Sequence, residues 1–498
     1  MSAPPTASWS SPEHRRSVIW IVTLATIAIV FDGYDLVVYG TVLPTLLDDP
    51  TQIGELSPAT AGALGSYALV GVMIGAFIAG ALGDRLGRRT MMLANIVWFS
   101  IGMAATALAH DLVTFGLLRC LTGIGIGGLV ATVGAMVAEF APPAKRNLFN
   151  AIVYSGVPAG GVLAAVLAML LADHIGWRGL FLVGALPIVT LLPLAVLRMP
   201  ESPQWLVARD RTEDARRISV RTGIPVDLAP PSPTPTERTE RIGFSALARR
   251  PLLAPTALLG MMSFAGLLLT YGLNTWLPQI MKSSGFDTKG SLGFLLVLNG
   301  GAIVGGLIAA RLADSRGPQR IVATSFCLAT FALIGLTLGL SLPILLIAVA
   351  VAGTGTIGTQ VLIFGYVSNY YPTRARAAGV AWCAGFGRLG GIVGPMIGGM
   401  MIGAGVSADS AFYLFAGIAC SAAPRRCSCR AGAARRHRSP ATTAVTPDRH
   451  SPPDDRSRPV IGAGPAAGAH PVHPPPRASC SGVAPDTTQT QRILGSGS

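Results

Sequence analysis

Two aspartates, Asp32 and Asp35 in Phe31-Asp32-Gly33-Tyr34-Asp35, stand about fifteen residues into an otherwise apolar stretch. Spaced i, i+3 on a helix, they share one face. Side by side in a low-dielectric setting they resist ionising together, so at least one is suited to picking up and releasing a proton. Were the stretch to end early, both would sit in water, but Leu36-Val37-Val38-Tyr39 continues the apolar run. Tyr34 between them is a candidate ligand contact.

Two arginines are buried in apolar runs in the same way, and charges there are functional candidates by default. Arg119, in Phe115-Gly116-Leu117-Leu118-Arg119, comes to the same half of a bilayer as the aspartates, because its stretch runs in the opposite direction. It is a candidate ligand contact and a candidate ion-pair partner, whether proton-sensitive or a permanent tie between helices. Arg388, in Gly385-Phe386-Gly387-Arg388-Leu389-Gly390-Gly391, falls near mid-depth with no carboxylate in its own span. Its planar fork matches an incoming carboxylate; the alternative is pairing with an aspartate of the other half. Tyr271, Asn274 and Trp276 in Tyr271-Gly272-Leu273-Asn274-Thr275-Trp276 are further candidates, for ring stacking and a ring-hydroxyl hydrogen bond. Phe264, Phe364, Tyr366 and Trp382 crowd the same half, where packing or an interfacial belt is the plainer reading.

The elements that must hold these residues are membrane spans. Hydrophobic residues make up 51% of the chain and charged ones 12%, about half the charge needed to cover a soluble surface. A mean hydropathy of +0.54 agrees, and a soluble enzyme is excluded. Eleven stretches reach the roughly 20 residues a spanning helix needs: 17–39, 59–82, 90–108, 112–136, 148–172, 177–197, 255–280, 291–312, 321–340, 342–366 and 377–402. A twelfth begins at Ala411 and runs out of apolar residues near Ala423. The first is too long and too acidic for a cleaved signal peptide.

Alternating the loops places 22 Lys and Arg residues on one side, among them Arg15, Arg16, Arg85, Lys145 and Arg320. Only Arg178, Lys282 and Lys289 lie on the other. The charge rule therefore predicts a cytoplasmic N-terminus in an inner membrane. The net charge of +14 is not a nucleic-acid footprint: 11 basic and 4 acidic residues after residue 420 supply +7, and loops supply the rest.

The domain reading follows: a cytoplasmic segment 1–16, a six-helix bundle 17–197, a cytoplasmic loop 198–250, a second bundle 251–423 and a basic, disordered tail 424–498. The halves echo each other, Gly83-Asp84-Arg85-Leu86-Gly87-Arg88-Arg89 after span two matching Ala313-Asp314-Ser315-Arg316-Gly317 after span eight. Repeated halves around a central site mark secondary transporters. Where the apolar pattern of span twelve stops, a shifted reading frame near residue 420 is expected, with a genuine extended tail as the alternative.

Two GxGxxG patterns, from Gly123 and from Gly353, lie inside spans and read as close helix contacts, not nucleotide sites. HExxH, GxSxG and Walker A patterns are absent, as is CxxC spacing among the seven cysteines. Neither an enzyme nor a cofactor is expected, and a proton gradient is the implied driving force.

Taken together, Gly80-x-x-x-Asp84-Arg85-x-Gly87-Arg88-Arg89 and Pro200-Glu201-Ser202-Pro203-Gln204-Trp205-Leu206 resemble the major facilitator superfamily. Within it, Asp32-Gly33-Tyr34-Asp35, Tyr271 to Pro278, and Asn369 to Arg376 leading into Gly387-Arg388-Leu389-Gly390-Gly391 resemble the aromatic acid:proton symporters, the 4-hydroxybenzoate and benzoate type. The resemblance covers roughly residues 15–420. It implies an all-α membrane protein of two six-helix bundles, the twelfth helix incomplete, that takes up small aromatic carboxylates with protons. A sugar or other organic-acid porter is the alternative. By resemblance, Asp32 and Asp35 serve proton coupling, Arg388 the substrate carboxylate, and Gly83, Asp84, Arg85, Gly87, Arg88 and Arg89 a conformational latch. The partners implied are the substrate, protons and lipid; a monomer is expected.

Overall fold

In lipid a backbone is satisfied only by hydrogen bonds within its own helix or a closed barrel, and each expected span is a helix. The computed structural model describes residues 11–142, 145–224, 247, 252–371 and 373–422. Span one is α1 (Pro12–Asp48), extended beyond its apolar run at both ends and started by Ser11, whose Oγ accepts the His14 N–H. Then come α2 (Pro58–Leu86), α3 (Arg88–Ala107) and α4 (Leu112–Phe140). Ser57 caps α2 and Asp111 caps α4, each accepting a backbone N–H of the first turn.

Span five is α5 (Arg146–Tyr154) followed by most of α6 (Gly156–Gly184). The chain turns back at Gly176, whose φ of 64° and ψ of −177° only glycine adopts readily. Span six is therefore assembled from the end of α6, a 3₁₀ turn at Leu186–Ile188 and α7 (Leu191–Arg198). The segment expected as a plain polar loop from residue 198 starts with two short helices, α8 (Pro203–Val207) and α9 (Thr212–Thr222).

The second half contains α10 (Leu253–Ser283), α11 (Thr288–Arg316) and α12 (Pro318–Gly335). Span ten is α13 (Leu342–Gly353), a π segment at Thr354–Gly358 and α14 (Thr359–Tyr370). Spans eleven and twelve are α15 (Thr373–Gly403) and α16 (Ala408–Ala422). At 15 residues, α16 reaches about 22 Å, short of a ~30 Å hydrocarbon core. The expectations for the tail, 424–498, and for the proline-rich run Pro230 to Pro235 fall outside the described residues.

The first GxGxxG pattern packs α4 on α2: a side chain at Gly123 or Gly127 would strike the carbonyl of Ala68 or Val72. The second sets α13 and the π segment on α11, Gly353 facing the Leu298 carbonyl. The halves meet along three helix pairs, α1 with α10, α2 with α15 and α6 with α11. Across this seam Ser66 Oγ donates to the Ile392 carbonyl at 2.6 Å; within the second half, Trp276 Nε1 donates to that of Pro395 at 2.7 Å. Apolar side chains such as Phe77, Phe331 and Leu117 face outward while Arg119, Asp32 and Asp35 are buried, the inverse of a soluble protein.

Candidate functional site

Arg119 of α4 and Asp35 of α1 form an ion pair, with side-chain exposures of 2% and 0%. The guanidinium also lies 5.7 Å from the ring centroids of both Tyr39 and Phe181, contacts a cation makes most strongly when desolvated. The pair is internal to the first half. Asp35 Oδ2 and Arg119 Nε have no hydrogen-bond partner among the described residues.

Asp32, one turn earlier, is as deeply buried, yet its Oδ1 has no hydrogen-bond partner among the described residues. The charged groups acting on it are Arg388 first and Asp35 second. Arg388 comes from α15 in the other half, and among the described residues it makes no salt bridge. Tyr271 of α10 and Tyr154 at the end of α5 lie in the field of both Asp32 and Arg388. Four helices thus bring one carboxylate, one guanidinium and two phenols to the interface of the halves. Such a set can hold a planar anion: the guanidinium takes its carboxylate, both phenols offer ring faces and Tyr271 a hydroxyl, that of Tyr154 donating to the Val130 carbonyl at 3.5 Å.

The other candidates have their polar atoms engaged within the protein. The Tyr34 hydroxyl donates to the Leu180 carbonyl at 2.7 Å. Asn274 donates to the Thr270 carbonyl at 2.7 Å, and its Oδ1 accepts from Asn299 at 2.9 Å, tying α10 to α11. Trp276, fully buried, makes the bond to Pro395 already described. Arg119 is taken by Asp35. Tyr154 and Asn299 are not among the residues the sequence singles out; Asn299 is a lone polar residue in an apolar run, the same signal as Asn274, whereas Tyr154 adjoins Ser155.

The loop between α2 and α3 is built around Gly87, at φ 93° and ψ 159°. Arg88 lies between Asp84 at 2.9 Å and Glu139 at 3.1 Å. Glu201 Oε1 accepts the backbone N–H groups of Arg88 at 2.7 Å and Arg89 at 3.0 Å, capping α3 from a segment 112 residues later in sequence. Trp205 Nε1 and Arg209 Nη2 donate to the Asp84 carbonyl at 2.9 and 2.8 Å, and Arg89 reaches the Val196 carbonyl. Gly83 is buried beneath Arg88, while Arg85 is exposed. Glu139 and Glu201 carried no assignment in the sequence reading, because their partners are remote in the chain. Gly317 repeats the Gly87 conformation at φ 88° and ψ 138°.

The profile of the Major Facilitator Superfamily matches residues 25–377 and 300–446. The chain belongs to that superfamily. It is a multi-pass membrane transporter and not an enzyme. The benzoate transport protein of Acinetobacter baylyi is 32% identical over 401 residues, covering 79% of this chain and 84% of the relative. The gentisate transporter of Corynebacterium glutamicum is 33% identical over 390 residues, covering 78% and 82%. Among solved structures, the inward-open xylose transporter of E. coli aligns with a TM-score of 0.64 at 19% identity, over 82% of this chain and 95% of that one; this likeness concerns the fold alone.

In this major facilitator chain, two further ion pairs join the halves at the face opposite the N-terminus. Lys282, in the last turn of α10, pairs with Asp48, the last residue of α1. Each follows a helix-interior proline, Pro278 or Pro44, by four positions, so the partners occupy equivalent places in the two halves. Lys289 pairs with Asp173 at 2.9 Å. Two of the three basic residues that the sequence placed on this face thus tie the halves together.

Proposed function

We propose that this transporter takes up small aromatic carboxylates of the benzoate and 4-hydroxybenzoate type together with protons, across the inner membrane with its N-terminus in the cytoplasm. The observation that carries the reading is that Asp32 of one half lies in the field of Arg388 of the other, while Arg388 makes no salt bridge among the described residues. The names of the relatives, benzoate and gentisate transporters, supply the substrate class. The excess of basic residues on the N-terminal side supports the orientation.

Charge balance at this site gives the coupling. Empty, the ionised Asp32 offsets Arg388 and the site is neutral. An incoming carboxylate that takes Arg388 leaves Asp32 as an uncompensated charge, which a proton removes. Empty and doubly loaded sites are both neutral, whereas anion alone or proton alone leaves one net charge. A charge at the bilayer centre costs about 2.5–3.5 kcal/mol, enough to make half-loaded passage roughly a hundredfold rarer. The halves rock mainly when both ligands are present or both absent. In this reading the second pair, Asp35 with Arg119, is neutral throughout, and the loop around Asp84 and Arg88 latches the N-terminal side.

Competition tests the substrate side. Unlabelled benzoate should block uptake of radiolabelled 4-hydroxybenzoate, and benzamide, isosteric but uncharged, should compete at least tenfold more weakly. Equal competition by the amide, or by glucose, would overturn the role given to Arg388.

A further inference from the structure

Three arginines from three separate elements converge on one pocket at the N-terminal face. Arg16 lies in the first turns of α1, Arg198 ends α7, and Arg221 stands in the last turn of α9. With Ser17, Trp20 and Thr222 they line a cavity of about 150 Å³. Among the described residues none of the three arginines has a carboxylate within ion-pair reach, in contrast to Arg88, Arg119, Arg211 and Arg217. Among the acids on and beside these elements, Asp214 is taken by Arg211 and Arg217, Glu201 caps α3, and Glu13, three residues before Arg16, makes no salt bridge to it among the described residues. The Arg198 guanidinium is held 5.3 Å from the Trp20 ring centroid.

Bringing three like charges together without a counter-ion among the described residues is unfavourable, and the fold does it where the first and sixth spans begin and end. Guanidinium forks match phosphate oxygens, and basic pockets between helix ends at headgroup depth are suited to anionic lipid heads. A tryptophan at the same level agrees with an interfacial position. Immediately beside the pocket on the same two helices, Ile19 and Leu197 are 55% and 72% exposed. A free phosphate has no use for such a surface, and an acyl chain does.

We propose that this pocket binds the phosphate of an anionic phospholipid, whose chains lie against Ile19 and Leu197. The bound headgroup bridges α1, α7 and α9, and so fastens the start of the inter-bundle segment to the first half. This site is separate from the transport site and does not depend on which substrate is carried.

The test uses the full chain in detergent, with thermal unfolding followed in mixed micelles. Phosphatidylglycerol should raise the midpoint by about 3 °C over phosphatidylcholine. The double variant Arg16→Gln, Arg221→Gln should lose that difference, and a remote control, Arg316→Gln with Arg320→Gln, should keep it. A full response in the first double variant would overturn the site, and a full response to inorganic phosphate alone would overturn the lipid assignment. A second measurement needs no variant. A photoactivatable phosphatidylglycerol should label peptides from the start of α1 and the end of α7; labelling confined to other segments would sink the proposal.

Discussion

Asp35 is ion-paired with Arg119 inside the first half, both side chains withdrawn from solvent, whereas Asp32, one helical turn away, faces Arg388 of the second half without touching it. The two carboxylates are therefore unequal. One belongs to a closed pair; the other completes its charge balance only across the interface that must open and close.

Their substitution should separate stability from coupling. Arg119→Gln leaves the Asp35 carboxylate buried without its partner, a loss of about 3–5 kcal/mol for a buried pair. Asp32→Asn removes no ion pair and should change the unfolding midpoint little. Thermal unfolding of the two purified variants decides it, and similar losses in both would contradict the asymmetry.

Asp32→Asn should also split the transport cycle. Its empty site carries the uncompensated charge of Arg388 and returns poorly, while the site holding a carboxylate is neutral and moves. Counterflow of labelled against unlabelled substrate should persist near the wild-type rate, and net accumulation should fall at least tenfold. Loss of both activities in a well-folded variant would refute the charge-balance scheme.

Glu201 should matter through the start of α3. Glu201→Ala removes the acceptor of the Arg88 and Arg89 N–H groups, at a cost of about 1–2 kcal/mol for a lost N-terminal cap. Glu201→Gln retains an acceptor oxygen and should recover at least half. A midpoint unchanged in the alanine variant would show that the cap is idle.

The exposed ion pairs at the far face should act on conformation more than on stability. Lys282→Gln with Lys289→Gln removes two partly exposed pairs, each worth 1 kcal/mol or roughly less. Global unfolding should barely change, but a cysteine introduced at the buried Gly62 position's neighbour Ala61 should react several-fold faster with an impermeant thiol reagent. Unaltered labelling would mean that the two lysines do not hold the halves closed.

Much of this arrangement was legible in the sequence because the bilayer permits few solutions. Apolar run length located the spans, and buried charges singled out Asp32, Asp35, Arg119 and Arg388 before any geometry was known. Small residues at helical spacing correctly marked close helix contacts in α4 and in α13. What escaped was pairing at long sequence separation. Which aspartate meets Arg119 depends on the rotation of α1, and no local signal sets that. Glu201 acts on residues more than a hundred positions earlier, and Asn274 meets Asn299 only because α10 and α11 pack side by side. The break at Gly176 was foreshadowed by the gap between two apolar runs, but the short helices α8 and α9 follow weak polar patterns that a charge-rich segment conceals.

The central claim, proton-coupled uptake of an aromatic carboxylate, is tested most directly by radiolabelled 4-hydroxybenzoate entering cells that express this chain, with and without a protonophore. Accumulation above the external concentration that collapses when the protonophore is added is the predicted result. Uptake that merely equilibrates and is indifferent to the protonophore would contradict the account.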